Sequence, residues 1–361
     1  MKASILGIGT VTPLGCGIET LLSGLEGTAQ PNIVEHTVET AKGGIALPVY
    51  TSAAEGLDRF IPRNKLRRID RFLQMALLSS FHAIEDSGLN LEDRTRIGIV
   101  FGTGYGPLQT SFDFLDTLID DGDKCASPTL FANSVHNSLV SNVSIALKLQ
   151  GPCLTLTSFE MTSSSVFSTA SAWLEEGKVD YVLTGVGDEY CEVRGYSTIL
   201  SGSENVSAIK PSAFNDCTYL PGEGFVSFLM GKEKGRKAYG SISSIETGSG
   251  NPVKPDHSAL FLAANGDRST GCHYDNLQKG KDLTRLYSPL YGGMPAGQGF
   301  DVAIAALSLK DGRLYPSPEV SGAEQKQAEP QIREILHSDS IACLQYDDNG
   351  NFGLITLSGK D

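Results

Sequence analysis

GPCLTLTSFEMTSSSVFSTASAWLEEGKVDYVLTGVGDE, Gly151 to Glu189, is the stretch on which the fold turns. Leu154–Ser158 reads as a buried strand. It runs into a sharp turn, and a helix of small residues, Thr162–Glu176, starts at once. A second buried strand, Tyr181–Gly185, follows. Strand, tight turn and helix in that order present one side chain at a helix N-terminus, where backbone N–H groups and the dipole favour an anion. The residue at the turn is Glu160. A nucleophile there would be activated, whereas a carboxylate would be held charged and unreactive. Glu160 as a plain helix cap fits the pattern equally.

The same alternation extends on both sides. Ser4–Ile8 reads as a strand ending in a glycine-rich turn, with helix periodicity from Ile18. Residues 28–62 hold several breakers and read as a surface excursion. Arg67–Ser87 is the clearest amphipathic helix, with Ile69, Phe72, Leu73, Ala76, Leu77, Phe81 and Ile84 at steps of three and four. Ile97–Phe101 is a buried strand ending at Gly102-Thr103-Gly104-Tyr105-Gly106. Helices follow at Leu108–Leu118 and Ser138–Leu149. Toward the C-terminus, strands at Gly224–Met230 and Ala238–Glu246 flank the basic turn GKEKGRK. A helix spans Asp301–Lys310, and a hairpin closes around Asp348-Asn349-Gly350. The alternation predicts an α/β fold with a central buried sheet. A helix entered from a glycine-rich loop in each half hints at duplication, with a boundary near residue 234.

Composition narrows the function. The 361 residues carry 29 Lys and Arg against 42 Asp and Glu, a formal charge of −13. That balance disfavours binding to nucleic-acid phosphates or anionic lipid. No apolar run reaches about 18 residues, so no membrane span is expected. The opening MKASILGIGTVTPLG is too short and glycine-broken for a signal peptide and reads as a strand. Seven cysteines without a CxxC pair fit a reducing cytoplasm. The GTGYG run lacks both GxGxxG spacing and a P-loop lysine, so a tight turn is expected. His257 and His273 near Cys272 and Asp275 lack ligand spacing, and Asp347–Asn351 lacks the glutamate of a calcium loop. No metal or cofactor is expected.

Four segments together resemble the β-ketoacyl-acyl-carrier-protein synthase family. They are ILGIGTVTPLG (5–15), RRIDRFLQMALLSSFHAIEDSGL (67–89), SPTLFANSVHNSLVSNVSIALKLQGPCLTLTS (127–158) and PSAFNDCTYLPGEGFVSFLM (211–230). The resemblance implies a thiolase-like fold: two duplicated α/β halves, 1–234 and 235–361, in α-β-α-β-α layers. The family's reactive residues do not carry over. Its cysteine nucleophile falls on Glu160, its first histidine on Asn265, its second on Gly293, and its lysine on Ser288. Condensation needs a thiolate to hold the acyl chain and donors to stabilise the enolate. Glu160 cannot form a transferable thioester, and Gly293 offers no side chain.

Within the family, the pattern resembles the chain-length factors, inactive partners of a condensing synthase in type II polyketide and aryl-polyene assembly. Glu at the nucleophile place departs from their usual Gln. The resemblance implies a cytoplasmic heterodimer with an active synthase that shapes its acyl tunnel. It places tunnel and interface residues at Leu108, Ser111, Phe112 and Leu115, then at Phe131, Asn133 and His136. It implies a contact for the acidic acyl carrier protein at Arg63, Lys65, Arg67, Arg68 and Arg71. Two alternatives stay open. One is a malonyl-carrier decarboxylase or acyl hydrolase using Glu160. The other is a homodimeric acyl-binding protein with no synthase partner.

Overall fold

The computed structural model describes residues 3–359 apart from 42, 68, 92, 204, 233–238, 253–257, 278–283, 319–333 and 337–338. In chain order the first half holds β1 (Ala3–Thr12), β2 (Gly15–Cys16), α1 (Ile18–Leu25), β3 (Ile33–Thr40), β4 (Gly43–Tyr50), α2 (Arg63–Leu66) and α3 (Arg71–Ser87). It continues with β5 (Ile97–Gly102), α4 (Leu108–Asp121), α5 (Pro128–Ser134), α6 (Ser138–Leu147), β6 (Cys153–Leu156), α7 (Thr162–Glu175), β7 (Tyr181–Asp188), α8 (Glu192–Leu200) and β8 (Gly224–Gly231). The rest is β9 (Ser241–Ser249), β10 (Ala259–Leu262), α9 (Arg268–Gly271), β11 (Thr284–Arg285), α10 (Gln298–Asp311), β12 (Arg313–Leu314), β13 (Glu334–Ile335), β14 (Ser340–Tyr346) and β15 (Asn351–Ser358).

The sheet repeats one pattern twice. On one side β1 pairs antiparallel with β8, β8 antiparallel with β7, β7 parallel with β5, and β5 parallel with β6. On the other, β9, β15, β14, β10 and β11 follow in the same sequence of pairings. The two sets meet where Ala3 and Ser4 of β1 pair with Ile242 and Ser241 of β9. Helices α7 and α10 each pack against strands of both sets and form the middle layer. Nearly every residue of α10 is buried, which explains its lack of a polar stripe. Gln298 ties this layer together. It accepts from Ser164 Oγ at 3.0 Å and donates to Cys343 O at 3.0 Å and Gly353 O at 2.7 Å. A buried amide so fully paired costs little and fixes the register of the two halves.

On the outer face α3 lies across β1 and β8. Glycine makes that approach possible: a Cβ on Gly9 would sit 2.0 Å from Ser79 O, and one on Gly7 2.1 Å from Ala83 O. Among the described residues no helix is long and apolar enough to cross a membrane.

Three expectations need correcting. The strand ahead of Glu160 is not buried: β6 is the sheet edge, paired with β5 alone among the described strands, and Cys153 and Leu154 are exposed. The amphipathic helix begins at Arg71, because Asp70 caps it by accepting from Leu73 N at 2.7 Å. Arg63 and Lys65 stand on the separate turn α2, with Arg67 just past it. Residues 28–62 contain a regular hairpin, β3 with β4, which rests on α8. Most of the GKEKGRK turn, His257 and Arg68 lie outside the described residues. Asp347–Asn351 is a turn closed on itself, its Asp347 Oδ1 accepting from Asn349 N and Asn351 N at 2.9 and 2.8 Å.

Candidate functional site

The chain between β6 and α7 turns sharply. Phe159 has φ 45, outside the range bulky residues favour, and Glu160 follows in a single 3-10 turn. Ser158 N donates to Thr162 Oγ1 at 3.0 Å, and Met161 N to Ser158 O at 2.9 Å, so the elbow is pinned on both sides. Glu160 is thereby presented to a cavity of about 180 Å³.

The environment of Glu160 reverses one sequence expectation. Its carboxyl is pushed up to about 7, first by burial, with Asp267, Asp348 and Asp347 adding repulsion against only its own backbone N–H. The helix N-terminus does not hold it charged. Glu160 sits in the 3-10 turn ahead of α7, and burial dominates its environment.

Of the four positions to which the resemblance assigns the family's reactive residues, Glu160 and Asn265 line the cavity. Asn265 Oδ1 accepts from Asp267 N at 3.1 Å, so its amide caps the local turn. Ser288 is fully buried and donates to Ala264 O at 2.7 Å, behind Asn265 and away from the cavity. Gly293 is also buried, and the ring of Tyr219 lies between it and the cavity.

The remaining walls come from residues that sequence reasoning did not single out. Arg194, Ser197, Thr198 and Ser201 on α8 form one side, with Tyr105, Tyr219, Asp267 and Pro295 on the others. Arg194 is 3% exposed. Burial opposes its charge, but Tyr219, Tyr105 and Asp188 more than offset that, and it stays cationic. Asp188, fully buried at the end of β7, holds the GTGYG turn through Thr103 Oγ1, Gly104 N and Tyr105 N. Its neighbour Glu189 accepts from Gln109 N at the start of α4 at 3.1 Å. Two acids directly after an apolar strand were the legible signal for these contacts. Glu223 of the Gly-Glu-Gly segment accepts from Arg71 Nη1 at 2.7 Å, Ser52 N at 2.8 Å and Tyr190 N at 2.9 Å.

Arg71 pairs with Glu223 while its side chain stays 46% exposed. Arg63, Lys65 and Arg67 are exposed, with Arg63 paired to Asp58 at 2.7 Å. The expected tunnel residues lie apart from the cavity. Leu108, Ser111, Phe112 and Asn133 are half-buried, and Leu115, Phe131 and His136 are exposed. Ser111 Oγ reaches Ser134 O at 3.2 Å, and Phe114 packs on Phe131 with ring centroids 5.4 Å apart. Of the eleven exposed large apolar residues described, seven sit on the contiguous elements from α4 to the elbow: Leu115, Ile119, Phe131, Val135, Ile145, Leu154 and Phe159. Leu154 stands on the open β6 edge itself, Phe159 on the elbow that follows it, and Ile145 on α6, which packs against β6.

Comparison with known proteins agrees with the fold. Residues 3–234 match the family model for the β-ketoacyl synthase N-terminal domain. The chain is 26% identical over 192 residues to 3-oxoacyl-(acyl-carrier-protein) synthase 2 of Vibrio cholerae, covering 51% of this chain and 45% of that protein. It thus spans about half the length of the first curated relatives it matches. Among solved structures, the ishigamide ketosynthase/chain length factor superposes with TM-score 0.79 at 15% identity, over 100% of this chain and 99% of that one. The ketosynthase ApeO in complex with its chain length factor ApeC, from Xenorhabdus doucetiae, gives 0.77 at 15% identity, over 99% and 98%. The twice-repeated sheet pattern and these superpositions establish a thiolase-like ketosynthase fold, and with the match over residues 3–234 the chain belongs to the β-ketoacyl synthase family.

Proposed function

We propose that this protein is a noncatalytic subunit of the chain-length-factor kind, which pairs with an active β-ketoacyl-carrier-protein synthase and shapes the tunnel for the growing acyl chain. The observation that carries the proposal is the pocket itself. Its nucleophile position is Glu160, its first histidine position is a turn-capping Asn265, and its second is Gly293, walled off by Tyr219. Neither a thioester nor an enolate finds its partner there.

The open β6 edge, with exposed Leu154 on it and exposed apolar residues on the helices that precede it in sequence, supports a heterodimer, since an uncovered edge strand and large exposed apolar side chains ask for a partner. In this reading Leu108, Ser111, Phe112 and Leu115 of α4, Phe131 and Asn133 of α5, and His136 would meet the partner and close its tunnel. Arg63, Lys65 and Arg67 supply positive charge for an acidic carrier protein. The proposal needs no cofactor, places the complex in the cytoplasm, and divides the chain into halves 1–234 and 235–361. The test is co-expression with a synthase subunit that keeps Cys and both His. A stable heterodimer that elongates carrier-bound chains is expected, with no acyl adduct on this subunit by intact mass. A stoichiometric adduct, or an unpaired homodimer, sinks it.

One observation favours a second reading. A carboxyl pushed up to about 7 on a strained elbow is suited to proton transfer, so Glu160 could serve a decarboxylase or hydrolase acting on malonyl carrier. Release of malonate or acetyl carrier by the subunit alone, lost in Glu160→Gln, would establish it.

A further inference from the structure

The cavity stops short of Gly293. A Cβ built on Gly293 would lie 2.2 Å from Tyr219 Cε2 and 2.7 Å from Cδ2, so the ring occupies the space any side chain there would enter. The ring is fastened at its far end. Tyr219 Oη donates to Gly293 O at 2.9 Å and accepts from Arg194 Nη2 at 3.2 Å. Arg194 in turn donates to Gly293 O at 3.1 Å, Gly222 O at 3.0 Å and Glu189 O at 2.5 Å, and its guanidinium carbon lies 4.9 Å from the centre of the Tyr105 ring. Tyr219 and Arg194 face the cavity; Gly293 does not.

We propose that Tyr219, clamped by Arg194, is the residue that bars acyl thioesters from this chain's own pocket. Swinging the ring aside would strip a buried guanidinium of one acceptor and uncover the Gly293 carbonyl, and each unmet buried partner opposes the motion. What remains open is polar: Glu160, Asp267, Asn265, Ser197 and Ser201 all prefer water to an alkyl chain. An entering chain would therefore meet both a rigid stop and walls it cannot satisfy. This rests on the proposed function only in taking an acyl thioester as the molecule to be excluded.

The test is equilibrium binding of octanoyl-N-acetylcysteamine to the full chain by titration calorimetry. The wild type is expected to show no saturable binding, and Tyr219→Phe, which keeps the ring but loses the hydroxyl clamp, to bind only weakly. Tyr219→Ala is expected to bind at least tenfold more tightly than either. Tyr219→Leu, a smaller loss of volume, serves if the alanine variant does not fold, and is expected to fall between. Binding by the wild type as tight as by the truncated variants overturns the proposal. So does a folded alanine or leucine variant that stays blank, or a phenylalanine variant that binds like alanine. Partner co-purification, which tests the subunit role, is a separate readout that these results leave untouched.

Discussion

Asp188 Oδ1 accepts from Thr103 Oγ1 at 2.7 Å, across 85 residues of sequence and with both groups fully buried. The same oxygen takes the Gly104 and Tyr105 N–H groups at 2.9 and 3.0 Å. Burial pushes the Asp188 carboxyl up, and the Arg194 charge and these donors pull against it. Asp188→Ala leaves four donors unpaired, these three and Ala296 N, which reaches Oδ2 at 3.4 Å, and the expected loss is about 3 kcal/mol or more in urea unfolding. Asp188→Asn keeps one acceptor and is expected to cost less than half as much. Equal losses would show that the turn is held by packing instead.

Glu160 makes stability depend on pH in a direction opposite to a paired carboxylate. Its ordinary value is 4.5 and its folded value about 7, so the native state binds the proton more tightly. Its contribution is full below about 4.5, declines as pH rises to about 7, and is flat above. Glu160→Gln is therefore expected to raise Tm at pH 8 and leave it nearly unchanged at pH 4.5. The check is a thermal-melt series of both proteins from pH 4.5 to pH 8.5.

The apolar face can be tested without touching the pocket. Ile145 is 75% exposed and Leu115 45%, so charges there cost the isolated chain little. Ile145→Glu with Leu115→Glu is expected to leave Tm within a few degrees and abolish co-purification with the synthase subunit. Retained pairing places the interface elsewhere.

Charge reversal at Lys65 and Arg67 addresses the carrier protein. Both are exposed beside α2, so steering rather than a locked contact is at stake. Lys65→Glu with Arg67→Glu is expected to slow elongation severalfold at low salt and limiting carrier, with the difference shrinking as salt rises and the heterodimer intact. A rate unchanged at low salt removes the patch from the docking route.

Product length tests the α4 face. Phe112 is half-buried beside Ser111, whose hydroxyl bridges to α5. Phe112→Ala in the reconstituted pair is expected to lengthen the products and Ser111→Trp to shorten them. Overpacking costs about 1–3 kcal/mol, enough to disfavour one further extension by roughly tenfold. Unchanged product masses with an intact pair would clear this face of the role.

How much of this was legible depended on whether a feature was local. The apolar pattern located α3 by its steps of three and four, and α10 and the strands β5, β7 and β8 as buried runs between breakers, because each signal lies within one stretch of chain. It failed at β6: an edge strand and a central strand have the same apolar run, and only the pairing shows which one stands open. Nor could it name the partner of Arg71, since Glu223 lies 152 residues away along the chain.

The site divides along the same line. Sequence by itself determined what these side chains can offer, since Glu160, Asn265 and Gly293 carry neither thiol nor imidazole whatever their surroundings. Tertiary structure alone decided what stands there instead. The titration of Glu160 follows first from its burial and then from the carboxylates at Asp267, Asp348 and Asp347, over a hundred residues away in sequence. The closing of the pocket follows from Tyr219 and Arg194 meeting at Gly293. Electrostatics and exclusion act through space and at short range, so no reading along the chain contains them until the fold sets the distances.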